Sequence, residues 1–102
     1  MSWRLEFRPE VDDDVSAAAC WYESRQSGLG SEFIEEIILV WEILTEQPLI
    51  GSRRHPHRDI RWRYPERFPY RVIYSIDETQ NSVLVIAVLH GARHDSQWQR
   101  RL

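Results

Sequence analysis

The sequence predicts an α+β domain: an N-terminal strand, an antiparallel two-helix hairpin packed on a mostly antiparallel sheet of about four strands, and a short C-terminal helix. Three observations predict it. Trp3, Leu5 and Phe7 alternate with Arg4, Glu6 and Arg8, the period of two that a half-buried strand imposes. From Val11 the apolar residues recur at spacings of three and four, on either side of a Gly28-Leu29-Gly30 turn. After Gly51 the alternation returns, in Ile60-Trp62-Tyr64 and again in Tyr70-Val72-Tyr74-Ile76.

The opening strand ends at Pro9, whose fixed φ suits a first helical turn, and Asp12, Asp13 and Asp14 follow where acids complement the helix dipole. Val11, Val15, Ala18, Ala19 and Tyr22 form a narrow apolar stripe, and this helix is expected to stop near Ser27 and Gly28. Ser31 is the expected N-cap of the second helix, whose wide face comprises Phe33, Ile34, Ile37, Ile38, Trp41 and Leu44 and whose end is marked by Pro48. Two amphipathic helices joined by so short a turn pack antiparallel and need an apolar layer beneath them, which the sheet supplies. Ile60 to Tyr64 forms one strand of that sheet, and Tyr70 to Ile76 forms the next. Asp77 to Ser82 makes a hairpin turn into Val83 to Leu89, a run apolar on both faces and so expected at the centre of the sheet. Gly91 ends this run, and the C-terminal helix is expected from Asp95 to Arg101.

At 102 residues the chain is the size of one domain, taken to span residues 1–102. No run approaches the roughly 20 apolar residues of a membrane span, and a charged alternating segment stands where a signal peptide needs an apolar block. A cytoplasmic location without membrane contact is expected. Cys20 is the single cysteine, which excludes an internal disulfide or a CxxC metal knuckle; in its alanine-rich setting it is expected to be a small buried hydrophobe. All thirteen basic residues are arginine, so a proton-transfer lysine is excluded, while a planar fork for phosphate or carboxylate is abundant. The charges are unevenly placed. Residues 1–50 hold three arginines against eleven acids, and residues 51–102 hold ten against five.

From Arg53 to Arg71 seven arginines stand against Asp59 and Glu66, interleaved with Trp62, Tyr64, Phe68 and Tyr70. This is the composition of a nucleic-acid surface. It is equally that of a protein interface anchored by Arg, Trp and Tyr. His55 and His57 lie two apart beside Asp59, a spacing at which strand residues reach one metal. With Pro56 between them and no third ligand nearby in sequence, they are expected to be a solvated loop feature, and no metal or cofactor is expected.

Several separated motifs then fall in an order that resembles the RelE/ParE toxin superfamily, the toxins of type II toxin-antitoxin systems, which include plasmid-stabilisation proteins. They are Phe7-Arg8-Pro9-Glu10, the Gly28-Leu29-Gly30-x-x-Phe33 junction, Pro48, the run from Arg67 through Phe68-Pro69-Tyr70-Arg71-Val72-Ile73 to Tyr74, and the run from Val85 through His90-Gly91-x-Arg93-His94 to Trp98. The resemblance covers nearly the whole chain. It implies a helical hairpin covering the sheet and a toxin neutralised by a cognate antitoxin. The superfamily supports two activities: RelE-like members cleave messenger RNA on the ribosome without a metal, and ParE-like members inhibit DNA gyrase by protein contact.

A metal-free ribonuclease must deprotonate a 2′-hydroxyl, steady the phosphorane and protonate the departing oxygen. By resemblance Arg71 is the phosphate clamp, against the alternatives of a solvated strand residue or one engaged by the antitoxin. His90, at the end of the central strand, has an unperturbed pKa of about 6.5 suited to acid or base work, and Arg93 completes the catalytic set of this reading. Members of the superfamily often carry a second arginine where this chain has Ala92 and a proline where it has Asp95. Trp98 stands where a nuclease needs an acidic hydroxyl, and is read as packing. Eleven acids in the first half and a pI near 5.8 oppose an approach to ribosomal phosphate. The sequence therefore leans to the ParE-like branch, a non-enzymatic toxin binding DNA gyrase and its antitoxin. Arg61, Trp62, Arg63, Arg67, Tyr70, Arg71, Arg93 and His94 are the expected partner-binding residues. The alternatives are a RelE-like toxin acting on the ribosome and its messenger RNA, and an inactive orphan toxin. The oligomeric state is left open.

Overall fold

The computed structural model describes residues 2–51 and 53–102. Its elements are strand β1 (Arg4–Phe7), helices α1 (Glu10–Arg25) and α2 (Leu29–Glu46), strands β2 (Ile60–Arg63), β3 (Tyr70–Asp77) and β4 (Ser82–His90), and a final turn of helix, α3 (Ser96–Gln99). The expected α+β order stands. The sheet runs β1-β4-β3-β2, with β1 parallel to β4 and the other two pairings antiparallel. The doubly apolar strand is central, as its composition requires.

The helical hairpin covers one face. Val11, Ala18, Ala19, Phe33, Ile37, Val40 and Leu44 meet Val72, Tyr74, Val83, Val85 and Val88 there. The buried face of α2 is centred on Phe33, Ile37, Val40 and Leu44, one helical period apart. Ile34 and Ile38, expected on that face, flank it and are exposed, as is Phe7, which leaves the core to pack edge-on against Trp41 at 5.0 Å. Cys20 is also exposed rather than buried. It sits two residues past Ala18, about 200° round the helix from the stripe.

The helix junction differs from the expected Ser31 cap. Helix α2 begins at Leu29, because Gly28 takes the left-handed conformation (φ 88°) in the turn. The Glu23 carboxylate accepts the N–H groups of Gly28 at 2.9 Å and Gly30 at 3.0 Å, so α1 itself caps α2. Gly30 is required by proximity: a Cβ there would lie 2.6 Å from the Ala19 carbonyl oxygen. The two helices touch backbone to backbone at this point.

The register of β3 against β4 slips between Ile73 and Tyr74, which pair with Ala87 and Val85, so Ile86 is an extra residue in β4. The bulge turns both Ile86 and Ala87 towards the second face. There they join Ile60, Ile73, Leu89 and Trp98 in a separate core, which the C-terminal segment covers. Trp98, read as packing, is 1% exposed.

Strand β1 stops opposite Val85, leaving the far half of β4 with an unpaired edge. Asp14 and Arg101 close it. The Asp14 carboxylate accepts the Val88 N–H at 3.0 Å and receives Arg101 at 2.6 and 3.0 Å, while the same guanidinium donates to the Ile86 carbonyl at 3.0 Å. One ion pair thus caps the strand edge and ties α1 to the chain end. Removing one partner of such a shielded pair strands the other charge. Asp14→Ala is expected to lower unfolding free energy by about 3 kcal/mol in urea titrations, with Arg101→Met on top of it costing much less than it does alone.

Candidate functional site

The arginine-rich segment is mostly engaged within the protein. Arg61 holds Asp59 at 2.8 and 3.3 Å and donates to the carbonyls of Leu49 and Gly51, tying β2 to the loop after α2. Arg67 holds Glu36 and Glu32, and its backbone N–H donates to Glu36 at 2.9 Å, which clamps the β2-β3 loop to α2. Arg63, half-buried, has no carboxylate within ion-pair range among the described residues. His55 uses Nδ1 to accept the N–H groups of His57 and Arg58, both at 3.1 Å, a loop-closing role. No group of three metal-binding side chains occurs among the described residues.

Arg71 is the most confined of the set. It lies opposite Leu89 on β3 and is 4% exposed, on the face away from the helical hairpin. Its Nη1 donates to Asp95 Oδ1 at 2.8 Å, its Nη2 to the Arg93 carbonyl at 3.1 Å, and its guanidinium carbon lies 4.9 Å from the centre of the Trp62 ring. Trp98 packs edge-on to Trp62 at 6.3 Å. The hydrogen bond from Arg71 holds the Asp95 carboxyl below the usual aspartate range, against the opposing effect of burial. A solvated strand residue and an open phosphate clamp both require a side chain in water. This one fastens the C-terminal segment over the second core.

His90 and Arg93 belong to a different place. They line a groove of about 1010 Å³ between the C-terminal half of α1, the adjoining ends of β3 and β4, and the chain end. Its walls carry Trp21, Tyr22, Tyr70, Arg100 and Arg101, with Ala17 and Ala18 on the helix side and Asp13 at one end. Tyr22 and Tyr70 belong to an aromatic cluster with Phe33 and Phe68, with ring centres 4.7 to 5.9 Å apart. Burial raises the pKa of both phenols. The His90 ring stands 5.3 Å from Tyr70 and accepts the Ala92 N–H on Nδ1 at 3.0 Å. Arg93 is exposed and donates to Gln97 at 3.3 Å. His94 accepts the Ser96 N–H on Nδ1 at 3.1 Å and is not part of the groove wall.

The structure therefore separates residues that the sequence groups together. Tyr70, His90 and Arg93 share the groove, whereas Arg71 and Trp62 lie on the second face with Asp95. Trp21, Arg100 and Arg101 are groove residues that sequence reasoning passed over. Their only signal was an exposed aromatic outside the apolar stripe and a basic chain end. The groove has aromatic faces, two exposed arginines and small residues on one side, which suits an extended or helical protein segment carrying apolar and acidic side chains.

A sequence model of the ParE toxin of the type II toxin-antitoxin system parDE matches residues 5–95. No curated protein matches by sequence. Among solved structures, the chain is similar to the chromosomal ParDE toxin-antitoxin system of P. aeruginosa, with a TM-score of 0.70 at 14% identity over 86% of this chain and 95% of that one. It is also similar to a mutant of the E. coli toxin RelE in the free state, with a TM-score of 0.59 at 16% identity over 99% and 94% of the two chains. The archaeal RelE-RelB complex of Pyrococcus horikoshii gives 0.54 at 14% identity, covering 92% and 100%. At these identities the likeness is one of fold.

The Asp95–Arg71 pair sets a pH dependence. Because the folded carboxyl titrates below its ordinary value, its contribution is complete above about pH 4 and is lost as pH falls further, through the folded pKa. Asp95→Asn is expected to be less stable than the parent from neutral pH down to about pH 4, with the gap closing below that. Thermal melts of both proteins across this range measure it, and a gap that widens in acid contradicts the assignment.

Proposed function

The chain belongs to the ParE toxin family of type II toxin-antitoxin systems, and from that premise we propose that it is a non-enzymatic toxin that acts by protein contact on DNA gyrase and is silenced by a cognate antitoxin. The observation that carries this reading is the confinement of Arg71. A ribonuclease needs that guanidinium free to meet a phosphate; here it is buried against the Trp62 ring, with Asp95 as counter-ion. Extracting it would open the second core and leave the Asp95 charge unpaired.

The charge distribution supports the same reading. Of the seven arginines in residues 53–71, Arg67 and Arg71 are matched by Glu36 and Asp95 from outside the segment, which lowers its free positive potential below what its composition suggests. The groove beside His90 and Arg93 offers instead a mixed aromatic and cationic surface, the chemistry of protein recognition. We assign the antitoxin to this groove, with Tyr70 and Arg93 among its contacts and the exposed His94 beside it, and we leave the half-buried Arg63 without a role there. Arg61, Arg67, Arg71 and Trp62 serve the fold that shapes it.

Supercoiling by purified gyrase, titrated with the purified chain, tests the proposal. Inhibition is expected, together with an SOS response on induction and no new transcript 5′ ends inside codons. Arg93→Ala is expected to weaken antitoxin binding by about tenfold, a change of some 1.4 kcal/mol, measured by calorimetry. Arg71→Ala is expected to lower stability before it touches affinity. Unchanged supercoiling at saturating protein, with codon-internal cleavage on induction, would assign the RelE-like activity instead.

A further inference from the structure

Strand β1 has one edge on β4 and, among the described residues, no strand on its other edge. The N–H groups of Arg4 and Arg8 donate to the carbonyls of Asn81 and Val85, so the even-numbered residues of β1 direct their backbone groups towards β4. Leu5 and Phe7, the odd-numbered ones, direct theirs outward. Trp3 points the same way, with its N–H already given to the Thr45 carbonyl at 2.6 Å and its own carbonyl available.

The side chains along this edge are complementary to their own reversed order. Residues 3 to 7 are aromatic, arginine, leucine, glutamate, aromatic. When the segment pairs antiparallel with an identical copy about a two-fold axis through Leu5, Leu5 faces Leu5, Arg4 faces Glu6, and Trp3 faces Phe7. Every cross-strand pair is then favourable, and opposite charges meet on both sides of the axis. Moving the axis to Glu6 would place Glu6 against Glu6 and Arg4 against Arg8, which like-charge repulsion forbids. The other sheet edge, β2, lacks this property, because Ile60-Arg61-Trp62-Arg63 paired about Trp62 opposes Arg61 to Arg63. Arg4 and Glu6 are more than half exposed, and their mutual contact at 3.3 Å is a surface pair of little strength, so both are free to exchange partners across an interface. Phe7, 46% exposed against Trp41, supplies apolar area continuous with the edge.

We infer that two copies of this chain associate through β1, antiparallel about Leu5, to form one continuous eight-stranded sheet. Reciprocal bonds between the two Leu5 residues, and a bond from each Phe7 N–H to the partner's Trp3 carbonyl, hold the seam. The Arg4–Glu6 pairs select the register. The interface is isologous and therefore closes at two copies. With so few residues paired, the association is weak and visible only at high protein concentration.

Light scattering coupled to size exclusion, run from micromolar to millimolar concentration, reads the mass. The parent chain is expected to shift from one mass to twice that mass. Arg4→Glu sets two carboxylates against each other on both sides of the axis, and Glu6→Arg sets two guanidinium groups against each other there. Each variant is therefore expected to stay monomeric, with folding checked by circular dichroism. In an equimolar mixture of the two, a mixed pair again brings opposite charges together, and the doubled mass is expected to return. A parent chain that remains monomeric throughout overturns the inference and leaves the edge to a strand from a different protein. Single variants that still double in mass overturn it too, since the copies then meet elsewhere.

Discussion

The ion pair between Asp14 and Arg101 joins helix α1, the uncovered edge of β4 and the last residues of the chain at one point. Strand β1 is too short to pair the whole of β4, and an unpaired strand edge under a helix would leave backbone groups without partners. Asp14 accepts the orphan N–H of Val88, and Arg101 donates to the orphan carbonyl of Ile86. Each also neutralises the other. Together with the apolar contacts of Val11 and Ala18 on Val85 and Val88, the pair holds α1 along β4 and brings Arg101 to one wall of the groove.

The second face of the sheet follows from the same anchoring. With Arg101 fastened to α1, the segment from Gly91 to Gln99 folds back over the sheet and brings Trp98 down on Ile60, Ile73, Ile86 and Leu89. Arg71 rises from the strand beneath and takes the Asp95 carboxylate and the Arg93 carbonyl, so the cover is locked from below. The protein has two small cores with the sheet between them. A charged residue stands at the margin of the second, its two Nη groups held by the segment that seals it and its buried Nε without a partner among the described residues. An aspartate at position 95 gives Arg71 a partner inside its own chain, and the electrostatic character of this end of the molecule changes accordingly.

Much of this was legible beforehand. Periodicity placed every strand and both long helices because side-chain spacing is a local property of the backbone, and the doubly apolar run from Val83 to Leu89 declared the central strand. Trp98 was legible as packing. Where structure and local pattern part, the cause is shared. Ser31 gave way to Gly28 because the carboxylate of Glu23, from the preceding helix, does the capping. Ile34 and Ile38 fell outside the buried face because a helix shows the sheet only its centre line. Cys20 turned outward for the same reason. Arg71, grouped by motif with His90 and Arg93, went to the opposite face of the sheet, since alternation along β3 sends it away from Tyr70.

By itself, then, the sequence determined the fold class, the order of elements, the family resemblance and the polarity of the two halves, all of which rest on patterns within a few residues. Only the tertiary structure decided which charges remain free. An arginine's partner is chosen by distance in space: Asp14 and Arg101 are 87 residues apart, Glu36 and Arg67 are 31 apart, and Arg71 and Asp95 are 24 apart. A basic segment in the sequence became three internal ties and a groove lined by different residues, because folding brings Glu36 beside Arg67 and Asp95 beside Arg71, partners that lie far from them along the chain.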